Sequence, residues 1–525
     1  MPNRSTDALF LLIQSLERSE KRNFKLFVKR NSGSSDLKII QLFDALEKME
    51  GYDEEVLLKK NPSIQKQQLS NLKAHLYREV LASLRLLKQD DNIDIQIHEQ
   101  LDFARILYNK GLYHQSLRIL DKIKELAKTN NQVTYLLQVL FLEKKIEGLH
   151  ITRSMQDRAD SLAAEVDETN SRLAKIGALS NLSLQLYSWY IKNGLARNSK
   201  DTESLNLLFN NGVLESAKDC EGFYEKLYRY QCKCWYAFIV QDLIMYYRYC
   251  QKWVDLFHSE PRMIDIETAH YIKGLHNLMS AHFDLGNYQK FQETIQCFEN
   301  FSQTEIVQQN HNNQIQVFVY IQIAKLNQHF MEGSFTEGLK DVPLIEAKLK
   351  EYEFYLDRHR ILVFYYKIAS LYFGSGDFDK SIDYLNKIIN LKVDLRTDLQ
   401  CYARLLHLIA HYELGNYDIL EYLLKSVYRF MYKMENLSTV EVAVFAFIRY
   451  SFKLTPKELK PEFEKLLVQL KELEHDPFET RAFMYLDIIS WLESKISATP
   501  VQTVIRNKFL ENQKKVSARS AQNAE

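Results

Sequence analysis

Apolar positions recur at one fixed set of spacings around a single glycine in five segments of the chain. Gly111, Gly286, Gly333, Gly376 and Gly415 are each followed two residues later by an aromatic: Tyr113, Tyr288, Phe335, Phe378 and Tyr417. Three residues before each stands another: Tyr108, Phe283, Phe330, Phe373 and Tyr412. Leu120, Ile295, Val342, Leu385 and Leu424 lie nine residues after, and Ala104, Met279, Leu326, Ala369 and Leu408 seven before. Apolar residues three, four and seven apart share one face of a helix. A glycine between two such faces ends the first helix tightly, because it enters the left-handed conformation at little steric cost. Each segment therefore predicts a helix–turn–helix hairpin.

The hairpins are evenly placed. The steps are 47 residues from Gly286 to Gly333, 43 to Gly376 and 39 to Gly415, and 175 residues separate Gly111 from Gly286, room for four more. Weaker turns fit that gap near Ser154, at Gly194 and near Gln241-Asp242, and a final one falls at Thr455-Pro456. About nine hairpins are expected across residues 94–496, with a last helix from Pro477 to about Ile496 covering the bare outer face of the stack.

Residues 1–93 read as a separate basic helical domain. Helices are expected over Asp7–Glu17, Glu20–Arg30, Asp36–Glu50 and Asp53–Lys60. A fifth should run from Ser63 to about Gln89, with Leu69, Leu72, Leu76, Val80, Leu84 and Leu87 as its apolar stripe. Residues 497–525 are polar with little to bury, which predicts a frayed helix and then a disordered tail.

The segments "ARILYNKGLYHQSLRILDKI" (Ala104 to Ile123) and "ASLYFGSGDFDKSIDYLNKII" (Ala369 to Ile389) resemble tetratricopeptide repeats, with small, aromatic and glycine positions in that family's order. The resemblance covers roughly 94–475. The steps exceed the family's usual ~34 residues, which lengthens the helices. The small residue five after the glycine is Ser116, Gly338 and Ser381 in three units but Phe291 and Leu420 in two. The resemblance implies an all-α, right-handed superhelical solenoid whose concave groove receives peptides or protein partners. The N-terminal "SLERSEKRNFKLF" resembles the opening of uncharacterised repeat proteins from Bacteroidota, which implies no function.

Composition agrees with a helical chain. Of 525 residues only 15 are glycine and 8 proline, the two strongest turn formers. The formal net charge is zero, so no global attraction to nucleic acid or to an anionic membrane is expected. No signal peptide and no apolar run of membrane-spanning length are legible, and a cytoplasmic location is expected. The six cysteines then read as buried thiols.

Candidate chemistry is sparse. His407 and His411 are four apart, a spacing that zinc sites use. However, His282, His329 and His411 share one register position with Leu107 and Tyr372, four before the glycine, and that marks helix packing. No phosphate loop, dinucleotide fingerprint, nucleophile elbow or paired-cysteine zinc spacing occurs. No enzymatic activity, metal or cofactor is expected. The aromatic-rich stretch Phe223–Phe257 exceeds what one helical stripe can bury, so it reads either as inter-repeat packing or as a peptide-binding surface.

The leading expectation is a protein-interaction scaffold or adaptor that holds a helix or extended segment in its groove. Trp235, Phe283, Phe330, Phe373 and Tyr412 would serve as anchors, with His276 and Asn327 as hydrogen-bonding groups. The alternative is a regulator whose N-terminal domain binds nucleic acid. Residues 1–90 carry 16 Lys/Arg against 12 Asp/Glu. The turn at Asn61-Pro62-Ser63 could belong to a helix-turn-helix, with Lys21, Arg22, Lys25, Lys66 and Lys73 on phosphates.

Overall fold

The five register glycines hold left-handed backbone, with φ between 65° and 90°, in a computed structural model of the chain. It describes residues 7–30, 36–87, 92–150, 158–391, 395–474, 476, 478–479, 482–483 and 486–522. The amide after each glycine bonds the carbonyl four residues before the glycine: Leu112 to Leu107 (3.0 Å), Asn287 to His282 (2.9 Å), Ser334 to His329 (3.1 Å), Asp377 to Tyr372 (3.0 Å) and Asn416 to His411 (3.1 Å). This pattern satisfies carbonyls that a helix end would leave bare. Gln241, with φ 63°, closes the same turn without glycine, through Asp242 N to Ala237 O at 2.9 Å.

The described residues are helical, with no strand among them. Helices of seven or more residues are numbered here. Those starting before residue 171 are α1 (Ala8–Gln14), α2 (Arg18–Arg30), α3 (Asp36–Glu47), α4 (Glu54–Lys60), α5 (Lys66–Leu87), α6 (Ile93–Asn109), α7 (Tyr113–Thr129), α8 (Val133–His150) and α9 (Arg158–Asn193). Next come α10 (Ser199–Phe209), α11 (Phe223–Ile239), α12 (Leu243–Ser259), α13 (Thr268–Asp284), α14 (Tyr288–Ser302), α15 (His311–Glu332), α16 (Val342–Glu351), α17 (Arg358–Ser375) and α18 (Phe378–Ile389). The last are α19 (Thr397–Glu413), α20 (Tyr417–Lys433), α21 (Thr439–Ser451), α22 (Pro456–Leu473), α23 (Ile488–Ser497) and α24 (Val501–Gln522). Among the described residues, no helix is long and apolar enough to cross a membrane.

Two compact units divide the chain between Asn170 and Ser171, within α9. In the first, α1–α5 bury their own core around Phe24, Leu42, Phe43, Leu76 and Val80, while α6–α8 bury a separate one around Leu101, Leu117, Leu120 and Leu140. α5 begins at Lys66, not Ser63, because residues 61–65 turn after the proline. Its stripe faces the first core except at Leu87, which is 41% exposed.

In the second unit successive helices pack against their neighbours, α11 on α12, α17 on α18 and α19 on α20 among them. The small serines of the register sit where two helices meet: Ser381 Oγ donates to Ala369 O at 2.9 Å, as Ser116 does to Ala104 O at 2.7 Å in the first unit. Phe291 and Leu420 fill that position with buried apolar bulk instead.

Three further expectations differ from the structure, the first being the last helix, which is not continuous from 477 to 496: Leu486 and Asp487 are not helical and α23 runs Ile488–Ser497. Repeat spacing places a helix pair between the turns near 154 and at 194, but α9 runs unbroken for 36 residues. Its one glycine, Gly177, is helical, and no proline interrupts it. The turn near Ser154 lies outside the described residues. The polar tail does not fray at its start: α24 is a 22-residue helix that packs on α23, α15 and α17.

Candidate functional site

Four register positions of α13, α15 and α17 line a single cavity of about 470 Å³ in the second unit. They lie thirteen, ten, six and three residues before the glycine. In α13 these are Lys273, His276, Ser280 and Phe283; in α15 Tyr320, Ile323, Asn327 and Phe330; in α17 Val363, Tyr366, Ser370 and Phe373. Spacings of three and four place such residues on one helix face. The first helices of three consecutive hairpins thus present equivalent faces to one space.

Long-range contacts within the unit close the cavity. Arg396, just before α19, donates from its amide to Ile191 O (3.1 Å) and from its guanidinium to Tyr190 Oη (3.0 Å), both on α9. Its guanidinium also grips the buried Asp398 at 2.9–3.2 Å. Gly194 leaves the room this requires, since a Cβ there would stand 2.1 Å from an Asp398 carboxylate oxygen. Val501 and Ile505 of α24 complete the wall. Thr336 donates to Gln502 (2.9 Å), Arg506 to the Glu332 carbonyl (3.2 Å), and Phe509 sits edge-on to Tyr288. No described residue of α24 is fully buried.

The lining is aromatic and cationic. His276 stacks on Tyr320 at 4.1 Å, and Arg360 donates to Tyr320 Oη at 3.2 Å. Lys273 Nζ lies 5.1 Å from the Tyr320 ring, 5.4 Å from Trp235 and 5.8 Å from Tyr187. A cation over an aromatic face is attracted by the ring quadrupole. Lys273 has no carboxylate within ion-pair distance among the described residues, whereas Arg396 has Asp398 and Arg360 has Asp357. Lys367 donates to Asn327 Oδ1 at 2.6 Å and lies over Phe330.

These surroundings displace the titrations. Burial raises the Tyr320 phenol, but Lys273 and Arg360 outweigh it and bring it below its ordinary value. Burial, then Arg396, Lys273 and Arg360, push His359 down to about 2. Burial lowers His276 as well, with Lys273 and Arg360 adding to it. Asp284 is raised to about 7 by burial, partly offset by Lys367. Lys367 falls to about 8 by burial, with Asp284 opposing. Asp284 Oδ2 and His359 Nδ1 are buried without a hydrogen-bond partner, an arrangement that a solvated or ligand-filled cavity relieves.

Of the seven groove residues expected from sequence, His276, Phe283, Asn327, Phe330 and Phe373 line this cavity. Trp235 and Tyr412 do not. Trp235 packs behind the wall on Tyr187 at 4.8 Å, and Tyr412 is covered by Phe447 and Trp491. Of the aromatic excess in 223–257, only Phe238 reaches the cavity. Phe223, Tyr246, Trp253 and Phe257 are core, and Tyr236 stacks on Phe209. Lys273, Tyr320, Arg360 and Lys367 were not singled out by the sequence reading. The register itself carried a signal for Lys273 and Tyr320, which both stand thirteen residues before a glycine, but none for Arg360 and Lys367, which lie off those four positions.

Of the three histidines at the shared position two serve the turns, while His282 Nδ1 is buried without a hydrogen-bond partner. His329 bonds Ser334 at 2.8 Å and His411 bonds Asn416 at 2.9 Å. Among the described residues no group of three metal-ligating side chains occurs.

The N-terminal cations are partly neutralised by other helices. Lys21 meets Glu47 (3.7 Å), and Lys25 meets Asp44 (2.8 Å) and Glu47 (3.0 Å). Lys73 pairs with Asp7 and bonds Tyr52 at 2.9 Å. Arg22 and Lys66 are exposed. Counting local charge could not reveal these tertiary partners. No family model, curated protein or solved structure matches the chain.

Proposed function

We propose that the chain acts by binding, as a tetratricopeptide-like interaction scaffold or adaptor of the cytoplasm. Its hairpins would form a right-handed solenoid whose inner face in the second unit receives a short segment of a partner protein. The observation that supports this reading is the repetition of four lining positions across α13, α15 and α17. Packing alone needs no shared open space, whereas a repeat that binds must turn equivalent faces toward one.

A short extended segment suits the site better than a partner helix. The cavity is about 470 Å³, within the range of small-ligand pockets, and α24 already lies along α15 and α17. Phe283, Phe330 and Phe373 supply apolar area, and Asn327 and His276 supply polar partners. The nucleic-acid alternative has less behind it, because Lys21, Lys25 and Lys73 already have acidic partners. A gel shift with the full chain at two salt concentrations tests it, since phosphate contacts weaken steeply with salt.

The scaffold reading is tested by affinity capture from the native cell with wild type and with Phe330→Ala. A partner that depends on the cavity is retained by the first and lost by the second. Equal recovery from both would remove the cavity from the interaction.

A further inference from the structure

Four cations face the cavity, and their pairing is uneven. Arg396 is held by Asp398, and one edge of Arg360 by Asp357. Lys367 has a neutral amide, Asn327, as its hydrogen-bond partner. Lys273 meets the Tyr320 hydroxyl and the faces of Tyr320, Trp235 and Tyr187, with no carboxylate at ion-pair distance among the described residues. Lys273 and Arg360 flank the same ring, Tyr320, one 5.1 Å from its centroid and the other bonded to its hydroxyl. Burial disfavours the Lys273 ammonium, Tyr320 and Tyr187 offset that, and an anion in the cavity would add the full counter-charge the phenols lack. Around this cationic spot the walls are apolar: Phe283, Ile323, Phe330 and Phe373. Among the described residues two carboxyls of the same wall have no cation at ion-pair distance: Asp284, on which Lys367 is the charge acting, and Asp487, which accepts from the Ser490 amide at 2.8 Å.

We propose that the cavity binds a small amphipathic anion. A carboxylate or phosphate monoester head would sit between Lys273 and Arg360 beside Tyr320, with its apolar body along Phe283, Ile323 and Phe330. Both head groups share the needed chemistry: oxygens that accept from an ammonium and a guanidinium at once. This proposal rests on reading the cavity as a binding site, but not on the ligand being part of a protein. A small acid there would compete with a partner segment for one space.

The test is titration calorimetry of the full chain with four probes of equal chain length: octanoate, octyl phosphate, octanol and octylammonium. The expected result is that at least one anion binds roughly tenfold or more tightly than octanol, the scale of one charge-assisted hydrogen bond. Octanoate against octyl phosphate decides which head is favoured. Lys273→Met and, separately, Arg360→Gln should each weaken the better anion roughly tenfold while leaving octanol unchanged, with helicity checked by circular dichroism. If neither variant folds, the four-probe comparison on wild type still decides. Octanol or octylammonium binding as well as the anions overturns the proposal while leaving the cavity as a ligand site. Binding of none of the four also overturns it, and partner capture then judges the scaffold reading separately.

Discussion

A Cβ on Gly333 would stand 2.5 Å from the backbone nitrogen of Arg506, and 2.7 Å from the carbonyl oxygen of Gln502. The glycine that turns α15 into the next hairpin is thus also the floor on which α24 rests. One residue joins the repeat register to the closing of the cavity.

Gly333→Ala should therefore do two things. The left-handed conformation costs about 1–2 kcal/mol for a residue with a side chain, and the new methyl pushes α24 away. Gly376→Ala separates these effects, because it has the same kind of backbone (φ +90°) and open space around the missing Cβ. Amide exchange across Val501–Gln522 should accelerate in Gly333→Ala and stay unchanged in Gly376→Ala. Equal protection of α24 in both variants would contradict the docking described.

Asp398→Ala should lower stability severely. Asp398 is fully buried and Arg396 nearly so. Removing one partner of a buried pair leaves an uncompensated charge, at a cost of roughly 3–5 kcal/mol. Urea unfolding should show an earlier midpoint. A loss no larger than that of a surface substitution would mean the pair does not secure α19 to α9.

How far the sequence carries can be judged from these residues. The turns at Gly111, Gly286, Gly333, Gly376 and Gly415 were legible because apolar period and glycine agree. So were five cavity residues, because register places Phe283, Phe330 and Phe373 at equivalent points. Trp235 and Tyr412 misled: an aromatic at a repeat position faces whichever neighbour arrives, and Trp491, 79 residues beyond Tyr412, covers that ring. The pairing of Arg396 with Tyr190 joins residues 206 apart, a closure that no local pattern encodes. A frayed helix is expected at α24, but its length and docking were missed because its polar sequence offers little apolar periodicity; Val501, Ile505, Phe509, the close approach at Gly333 and a few hydrogen bonds attach it.

The cavity's titratable groups give opposite pH signatures. His359 is held near 2, below its ordinary 6.5, so the folded state resists protonation. Its contribution to stability is full above pH 6.5 and declines as pH falls below that, by up to ~1.4 kcal/mol per pH unit for one group. His359→Gln should flatten the decline between pH 6.5 and 4.5 in urea midpoints. An unchanged slope would place His359 in solvent.

Asp284 runs the other way. Its value is raised from 3.8 to about 7, so the folded state holds the proton more tightly than the unfolded one. Stability from this group is full below pH 3.8 and is lost as pH rises toward 7. Asp284→Asn should match wild type near pH 4 and become progressively more stable than it by pH 8. A constant difference across that range would show that the carboxyl is not buried.

The central claim is that the cavity enclosed by α13, α15 and α17 is where the protein binds. Ser280→Trp tests it most directly, because Ser280 lines the cavity and an indole there would fill it. The variant should keep wild-type helicity by circular dichroism and lose the partner that wild type captures from the native cell. Capture of that same partner, undiminished, by a folded Ser280→Trp protein would contradict the claim.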